Sequence, residues 1–481
     1  MTSPLWKPEE IVAATGATVT GTEMPVSGAS IDTRTLKPGD LFFAISGDAR
    51  DGHDFVRDAL GKGAAAAMVS SQRMAELSEA GCLYGVPDVL QGMRDLAVAG
   101  RARARGPVIA VTGSVGKTGT KEALKLVLSR QALTHASIAS YNNHWGVPLT
   151  LVRAPRETVY GIYEIGMNHA GEITPLTAMV RPDIAVITTV APVHLEFFRS
   201  VVDIADAKAE IFSGIEPGGT AILPKDSPYF DRLKLHAAAS RAGRVLTFGE
   251  SPDADIRADN ITVTSEYSDV AVSVFGRVIR YRIGSPGRHV ALNSLAVLAT
   301  VFAAGADIEA AAEALVDLVP PVGRGERLIL GQGKETLLLV DESYNANPAS
   351  MRAAFSNLAM VSLTEGGRRI AVLGDMGELG PKGPELHREL ADLIATSRVD
   401  LVFACGSLMK NLVETLPSSL IADYAETSEQ LVDPVNAVIR AGDAVMVKGS
   451  LSTRMGLVVT ALKERWGVIG PSALHGRNSE G

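Results

Sequence analysis

Short apolar runs that end abruptly in polar clusters dominate the chain from residue 107 onward. Val108–Val111 stops at the stretch Thr112-Gly-Ser-Val-Gly-Lys-Thr118, and Val159–Ile165 passes through Glu164 toward Asn168 and His169. Ile184–Val190 leads to His194 and Glu196. Runs of this length, separated by helical patterns such as Ala123–Leu128, predict an open, mostly parallel sheet whose ligands sit beyond the carboxyl ends of its strands. Between 260 and 283 the period switches to two, in Ile261–Thr264, Val270–Val274 and Val278–Ile283, which predicts a small antiparallel appendage. Pro320-Pro-Val-Gly323 reads as a hinge. Beyond it the strand–loop rhythm restarts: Leu337–Val340 before Asp341, Ile370–Leu373 before Gly374, Leu401–Ala404 before Cys405, and Val445–Val447 before Lys448.

Upstream of this region, Gly39–Ile45 reads as a turn entering a buried strand, and Phe55–Gly63 as a helix running into the apolar stretch Ala64–Val69. Val86–Arg105 has apolar residues at helical spacing and predicts a connecting helix. The fold class is therefore α/β in three domains: residues 1–85, a connecting helix 86–106, a central mononucleotide-binding domain 107–320 with a mostly parallel sheet, and a Rossmann-like domain 321–468. A loose polar tail, 469–481, follows. The length of 481 residues fits about three domains of ordinary size.

Charge and cysteine content narrow the function classes. With 46 basic and 54 acidic residues the net charge is −8, with no long basic block, so nucleic acid is a poor partner. Cys82 and Cys405 stand far apart in apolar stretches, which argues against a disulfide framework or a zinc site. Met1–Glu10 lacks the pattern of a signal peptide, and no stretch approaches 18 uncharged apolar residues, so the expectation is a cytoplasmic protein without a membrane span; separately, a monomer is expected.

Candidate chemistry centres on the glycine loop. A strand, then Gly113-Ser114-Val115-Gly116-Lys117-Thr118-Gly119, then a helix start make a phosphate cradle: the glycines let backbone N–H groups face an anion, and the helix N-terminus adds partial positive charge. Lys117 reaches toward β/γ-phosphates and the Thr118 hydroxyl toward Mg²⁺. Position 111 is valine where the usual phosphate loop has glycine, so this is a shortened variant. Glu164 reads as a Mg²⁺ ligand or a helix-capping carboxylate, His194 as a metal ligand or a structural histidine, and Lys208 by default as a solvated helix charge. Asn293 suits an adenine edge or an inward structural role, and Arg324 a phosphate contact made on hinge closure or a linker charge. Asp341-Glu-Ser-Tyr-Asn-Ala-Asn-Pro348 is dense in hydrogen-bonding groups and suits a recognition loop.

Together these motifs resemble the Mur ligases, ATP-dependent amide-forming enzymes of peptidoglycan precursor synthesis. The shortened loop is similar to theirs, and Asp341–Pro348, Gly374-Asp-Met-Gly-Glu-Leu-Gly380, Tyr141–Thr150 and Asp32-Thr-Arg34 with Asp51-Gly-His53 resemble the branch that adds D-alanyl-D-alanine to UDP-N-acetylmuramoyl-tripeptide. The resemblance implies a UDP-binding first domain using Thr33, Arg34, Asp51, Gly52 and His53, with Asn142 and Asn143 also on substrate. It implies ATP on the central domain, with Asn293, Arg324 and Asp341 joining the loop as nucleotide contacts. The dipeptide would meet the last domain at Tyr344, Asn345, Asn347 and Lys448. Lys208 matches a lysine that relatives carry as a carbamate, and Thr118, Glu164, His194 and modified Lys208 become Mg²⁺ ligands. Gly119, Pro224-Lys-Asp226 and Glu342 depart from the family's common residues. A sibling ligase adding a single amino acid or polyglutamate, and a nucleotide-dependent regulatory module, are the competing readings.

Overall fold

The computed structural model describes residues 4–47, 50–333 and 335–471. Three sheets follow one another along the chain. The first contains β1 (Thr18–Thr20), β2 (Gly28–Ser30), β3 (Asp40–Phe43), β4 (Ala66–Ser70) and β5 (Leu83–Val86), in the order β1-β5-β4-β3-β2, parallel except for the β1–β5 pair. The helix Val89–Ala102 then lies against this sheet with Val89, Met93, Leu96 and Ala97 buried. It is more than a connector. It belongs to one continuous apolar core that runs from Leu5 through Val147–Val152 to Ala237, so the first two domains share an interior. Trp6 donates through Nε1 to the Val152 carbonyl (2.9 Å), and the Arg103 guanidinium stacks 3.6 Å from the Trp6 ring, which fixes the N-terminus to the central domain.

The second sheet contains β6 (Val108–Thr112), β7 (Thr134–Ala136), β8 (Tyr160–Glu164), β9 (Ile184–Ile187), β10 (Thr220–Pro224), β11 (Arg244–Gly249), β12 (Ile256–Val263), β13 (Ser268–Val274) and β14 (Arg277–Ile283). Its order is β14-β13-β12-β11-β10-β9-β6-β8-β7. The strands from β7 to β11 are parallel, and every residue of β6, β8 and β9 is buried, as a sheet covered by helices on both faces requires. The expected antiparallel appendage is present but not separate. β12 pairs in parallel with the free edge of β11, so the three antiparallel strands continue the central sheet and satisfy that edge's backbone groups.

The third sheet contains β15 (Glu326–Gln332), β16 (Glu335–Glu342), β17 (Arg369–Gly374), β18 (Leu401–Cys405), β19 (Ile421–Ala425), β20 (Ala444–Lys448) and β21 (Val468–Pro471), in the order β19-β18-β17-β20-β16-β15-β21. Two expectations change here. Asp341 sits inside β16 rather than after it, because the β15–β16 hairpin pairs Asp341 with Glu326. The tail does not begin at 469: Val468–Pro471 pairs with β15, and residues 472–481 lie outside the described residues. No helix among the described residues is long and apolar enough to cross a membrane.

Candidate active site

A cleft of about 1020 Å³ opens where the carboxyl ends of the central parallel strands face those of the third sheet. The glycine loop forms its floor, and its shape follows from two close approaches. A Cβ on Gly113 (φ +153°) would fall 1.9 Å from Thr188 Oγ1, and one on Gly116 (φ +86°) would fall 2.6 Å from the Asn293 amide, so only glycine fits either place. Thr188 Oγ1 donates to the Val115 carbonyl (2.6 Å), while Ser114 N donates to the Thr189 carbonyl (2.8 Å). The loop is thus tied to the end of β9. The helix Lys117–Ser129 begins at once behind it, with its unpaired N–H groups facing the cleft. Gly119 has open space where a side chain would stand.

Lys117 rests its Nζ on the Gly113 carbonyl (2.6 Å), and burial lowers its pKa, with Arg324 adding to the effect and Glu164 opposing it. Thr118 Oγ1 lies 3.5 Å from Ser140 Oγ. Glu164, at the end of β8, is fully buried. One oxygen, Oε1, accepts from Asn142 Nδ2 at 2.7 Å, whereas Oε2 has no hydrogen-bond partner among the described residues. A buried carboxylate with a bare oxygen beside a phosphate cradle is suited to a hard divalent cation, so the donor set fits Mg²⁺. His194 takes a left-handed backbone (φ +55°) and points Nδ1 at Glu378 Oε2, 2.5 Å away. Among the described residues no three His, Cys, Asp or Glu side chains converge as a metal cluster, so a cation here would need Thr118 or a modified Lys208 as well.

Lys208, on the helix Val201–Ala209, is not the solvated charge that its position on a helix suggests by default. It is 1% exposed, has no hydrogen-bond or ion-pair partner among the described residues, and is not one of the residues lining the cleft, though Lys117 of the lining is near enough to act on it. Burial, reinforced by Lys117, pushes its pKa well below that of an ordinary lysine.

The opposite wall belongs to the third domain. Arg324 donates from Nη2 to Ser140 Oγ (3.1 Å) and stacks 4.1 Å from the Tyr344 ring. Lys448 is buried, with Nζ 3.1 Å from both Glu342 Oε2 and the Asn345 carbonyl. Asn347 lines the cleft and also caps the helix Pro348–Ala359, accepting from Ser350 N (2.9 Å).

Some of the expected residues do not reach this cleft. Asp341 is buried away from the lining and accepts from Ser343 N (3.0 Å) and Oγ (2.6 Å), holding the recognition loop from behind. Asn143 is outside the lining, and its Oδ1 accepts from Gly146 N (2.9 Å) at the start of the helix Gly146–Val152. Thr33, Arg34, Asp51, Gly52 and His53 lie on the first domain, away from the cleft. There Arg34 forks onto Asp32 and Arg73 pairs with Asp51, whose carboxyl is held far below the usual range by hydrogen bonds from His53 N (3.0 Å), His53 Nδ1 (2.6 Å) and Ser46 Oγ (2.9 Å). Sequence reading had missed Ser140, which links Thr118 to Arg324, and Glu378, the partner of His194. Both stand inside or beside stretches already notable for polarity, but neither contact leaves a mark on sequence spacing.

Three family models match the chain: "Mur ligase family, catalytic domain" over residues 25–102, "Mur ligase middle domain" over 111–301, and "Mur ligase, glutamate ligase domain" over 323–451. The UDP-N-acetylmuramoyl-tripeptide–D-alanyl-D-alanine ligase of Escherichia coli is 33% identical over 447 residues, covering 92% of this chain and 95% of that protein. Its counterpart in Rickettsia prowazekii is 30% identical over 455 residues, covering 95% and 99%. Among solved structures, MurF from Acinetobacter baumannii superposes with a TM-score of 0.81 at 27% identity, over 96% of this chain and 99% of that one. MurF from Thermotoga maritima, in complex with ADP, gives 0.72 at 25% identity, over 91% and 97%.

Proposed function

This chain belongs to the Mur ligase family, and we propose that it joins D-alanyl-D-alanine to UDP-N-acetylmuramoyl-tripeptide, cleaving ATP to ADP and phosphate. The observation that carries the reading is the two-walled cleft, with a phosphate cradle and the buried Glu164 carboxylate, one oxygen bare among the described residues, on one side and the Tyr344–Asn347 loop with Lys448 on the other.

A carboxylate is a poor electrophile and must be activated before an amine can attack it. The tripeptide carboxylate attacks the γ-phosphate of ATP, giving an acyl phosphate and ADP. The free amine of D-alanyl-D-alanine then adds to the acyl carbon, and phosphate leaves from the tetrahedral intermediate. Bringing a carboxylate to the triphosphate opposes two anions, which at ~4 Å and an effective dielectric of 20 costs about 4 kcal/mol. Lys117, released from the Gly113 carbonyl, offsets that repulsion, and the loop N–H groups from Gly113 to Thr118 hold the phosphates. Asn293, packed on Gly116, orients the nucleotide. Arg324 meets the phosphates from the third domain, with Asp341 acting through the loop it braces.

Thr118, Glu164, His194 and a carbamate on Lys208 would hold Mg²⁺, which neutralises phosphate charge and polarises the transferring group. Carbamylation suits Lys208 because CO₂ adds to the neutral amine that burial favours, with loss of a proton, and turns a would-be cation near Lys117 into an anion that can share the metal with Glu164. The UDP moiety is assigned to Thr33, Arg34, Asp51, Gly52 and His53, with Asn142 and Asn143 on the peptide portion. The dipeptide is assigned to Tyr344, Asn345, Asn347 and Lys448. The nucleotide precursors imply a cytoplasmic enzyme, and we assign it as a monomer.

ADP release, measured with UDP-N-acetylmuramoyl-tripeptide in the presence and absence of D-alanyl-D-alanine, tests the assignment. Product of pentapeptide mass should form only with the dipeptide. Equal ADP release without it, and no amide product, would refute this reading.

A further inference from the structure

The contact between His194 and Glu378 joins two domains at the point where metal chemistry is assigned. His194 follows β9 of the central sheet, and Glu378 follows β17 of the third. His194 Nδ1 lies 2.5 Å from Glu378 Oε2, and the Glu378 carbonyl accepts from Glu196 N at 3.2 Å, so side chain and backbone both engage.

Both partners pay in conformation. His194 has φ +55° and Glu378 φ +59°, left-handed values that L residues adopt rarely and keep only when their surroundings enforce them. The enforcement is visible on the Glu378 side. Met376 is fully buried and its N–H donates to His387 Nε2 (3.0 Å), Gly377 N donates to Ser450 Oγ (2.6 Å), and Leu379 is buried. The loop is anchored on both flanks, with Glu378 as its presented tip. A carboxylate on Nδ1 keeps the proton there and leaves Nε2 with its lone pair; Nε2 has no hydrogen-bond partner among the described residues.

We infer that Glu378 is a positioning residue for the metal site: it holds His194 in the Nδ1–H tautomer with Nε2 free to ligate, and because it comes from the third domain, it orients that ligand only when the domains are closed. The inference rests on the assignment of His194 to Mg²⁺ above. Metal affinity and domain closure become one equilibrium, so the activating cation is held fully only when the domain assigned to the dipeptide is in place. Formation of the water-sensitive acyl phosphate is thereby tied to the presence of the amine's own domain.

The test uses the full chain with ADP and Mn²⁺ as a paramagnetic substitute for Mg²⁺. Mn²⁺ affinity is read by electron paramagnetic resonance, and the His194 tautomer, in a separate sample with diamagnetic Mg²⁺, by ¹H–¹⁵N correlation of labelled histidine, assigned by its loss in His194→Asn. In the wild type, Nε2 should carry no proton. Glu378→Ala should weaken Mn²⁺ binding about 10- to 100-fold, the range seen when carboxylates behind metal-bound histidines are removed, and should shift the tautomer. Glu378→Gln, which keeps an acceptor oxygen, should recover part of both, which a merely structural loss would not. Unchanged Mn²⁺ affinity and tautomer in Glu378→Ala would overturn the inference alone. An His194→Asn protein that binds Mn²⁺ as tightly as wild type would instead overturn the metal assignment and this inference with it.

Discussion

At the scale of single residues, the cleft is defined by groups whose ordinary state has been disturbed. Lys208 is the clearest. A buried lysine without a partner favours its neutral form, so its folded pKa lies below the unfolded value of about 10.4. Between those two values the unfolded chain binds more protons, and stability rises with pH; at lower pH the native state bears the full cost of the buried amine. In CO₂-free buffer, Lys208→Met should therefore melt at a higher temperature than wild type at pH 7, with the advantage shrinking toward pH 10. Differential scanning calorimetry over that range checks it, and a pH-independent difference would count against a depressed lysine. In turnover, Lys208→Ala should lose roughly 100-fold or more in kcat/KM, and a small carboxylate added to the assay should restore part of it. Activity near wild type without any addition would remove the carbamate from the site. The glycine loop and the polarity of Glu164 were legible from residue order. The bare Oε2 of Glu164 was not, because which oxygen Asn142 occupies depends on the loop after β7 folding over the end of β8.

At the scale of elements, the strand–loop–helix unit of β6 and the helix Lys117–Ser129 shows why a spacing motif works. Gly116 is needed at φ +86° against Asn293, whereas Gly119 sits in open space. Gly116→Ala should thus weaken ADP binding about tenfold or more, from a strain of roughly 1–3 kcal/mol, while Gly119→Ser should bind ADP within about twofold of wild type, since it meets nothing and adds no strain. Isothermal titration in the presence of Mg²⁺ separates them; equal losses would show that the loop is not shaped by Asn293. The parallel strands β6, β8, β9, β17, β18 and β20 could be read from apolar runs because they are buried almost throughout and carry no alternation, whereas β7, β10, β11 and β19 were not read as strands. The antiparallel strands β12 to β14 were legible as strands, but not as part of the central sheet: periodicity reports which face is wet, and says nothing of which edge a strand joins. β21 escaped for a related reason, since a short strand on a sheet edge has a composition close to that of a loop.

At the scale of the whole molecule, the cleft exists only because the third domain stands opposite the central one. Arg324 expresses that relation most directly, bonding Ser140 of the central domain while stacked on Tyr344 of its own. Arg324→Ala should lower kcat by about 10²- to 10³-fold, the scale of losing one preorganised charge at a transferring group, and leave the KM for the UDP-linked substrate nearly unchanged. Arg324→Lys should rescue little, because an ammonium cannot reproduce the fork and the stacking at once. Steady-state kinetics with each substrate varied in turn decides the matter, and a rise in that KM with kcat preserved would place Arg324 on binding rather than chemistry.

Composition, hydrophobic period and the glycine loop suffice for an α/β architecture and a glycine-loop floor to the cleft, because each is a local property written in neighbouring residues. Folding alone decides that the first two domains share one core through Val89–Ala102, that Asp341 and Asn143 stand outside the cleft lining and brace a loop and a helix start, and that Glu378 reaches His194 across 184 positions of sequence. Those outcomes depend on which strand ends come to face each other, and hydrogen bonds between distant strand ends leave no periodic trace along the chain.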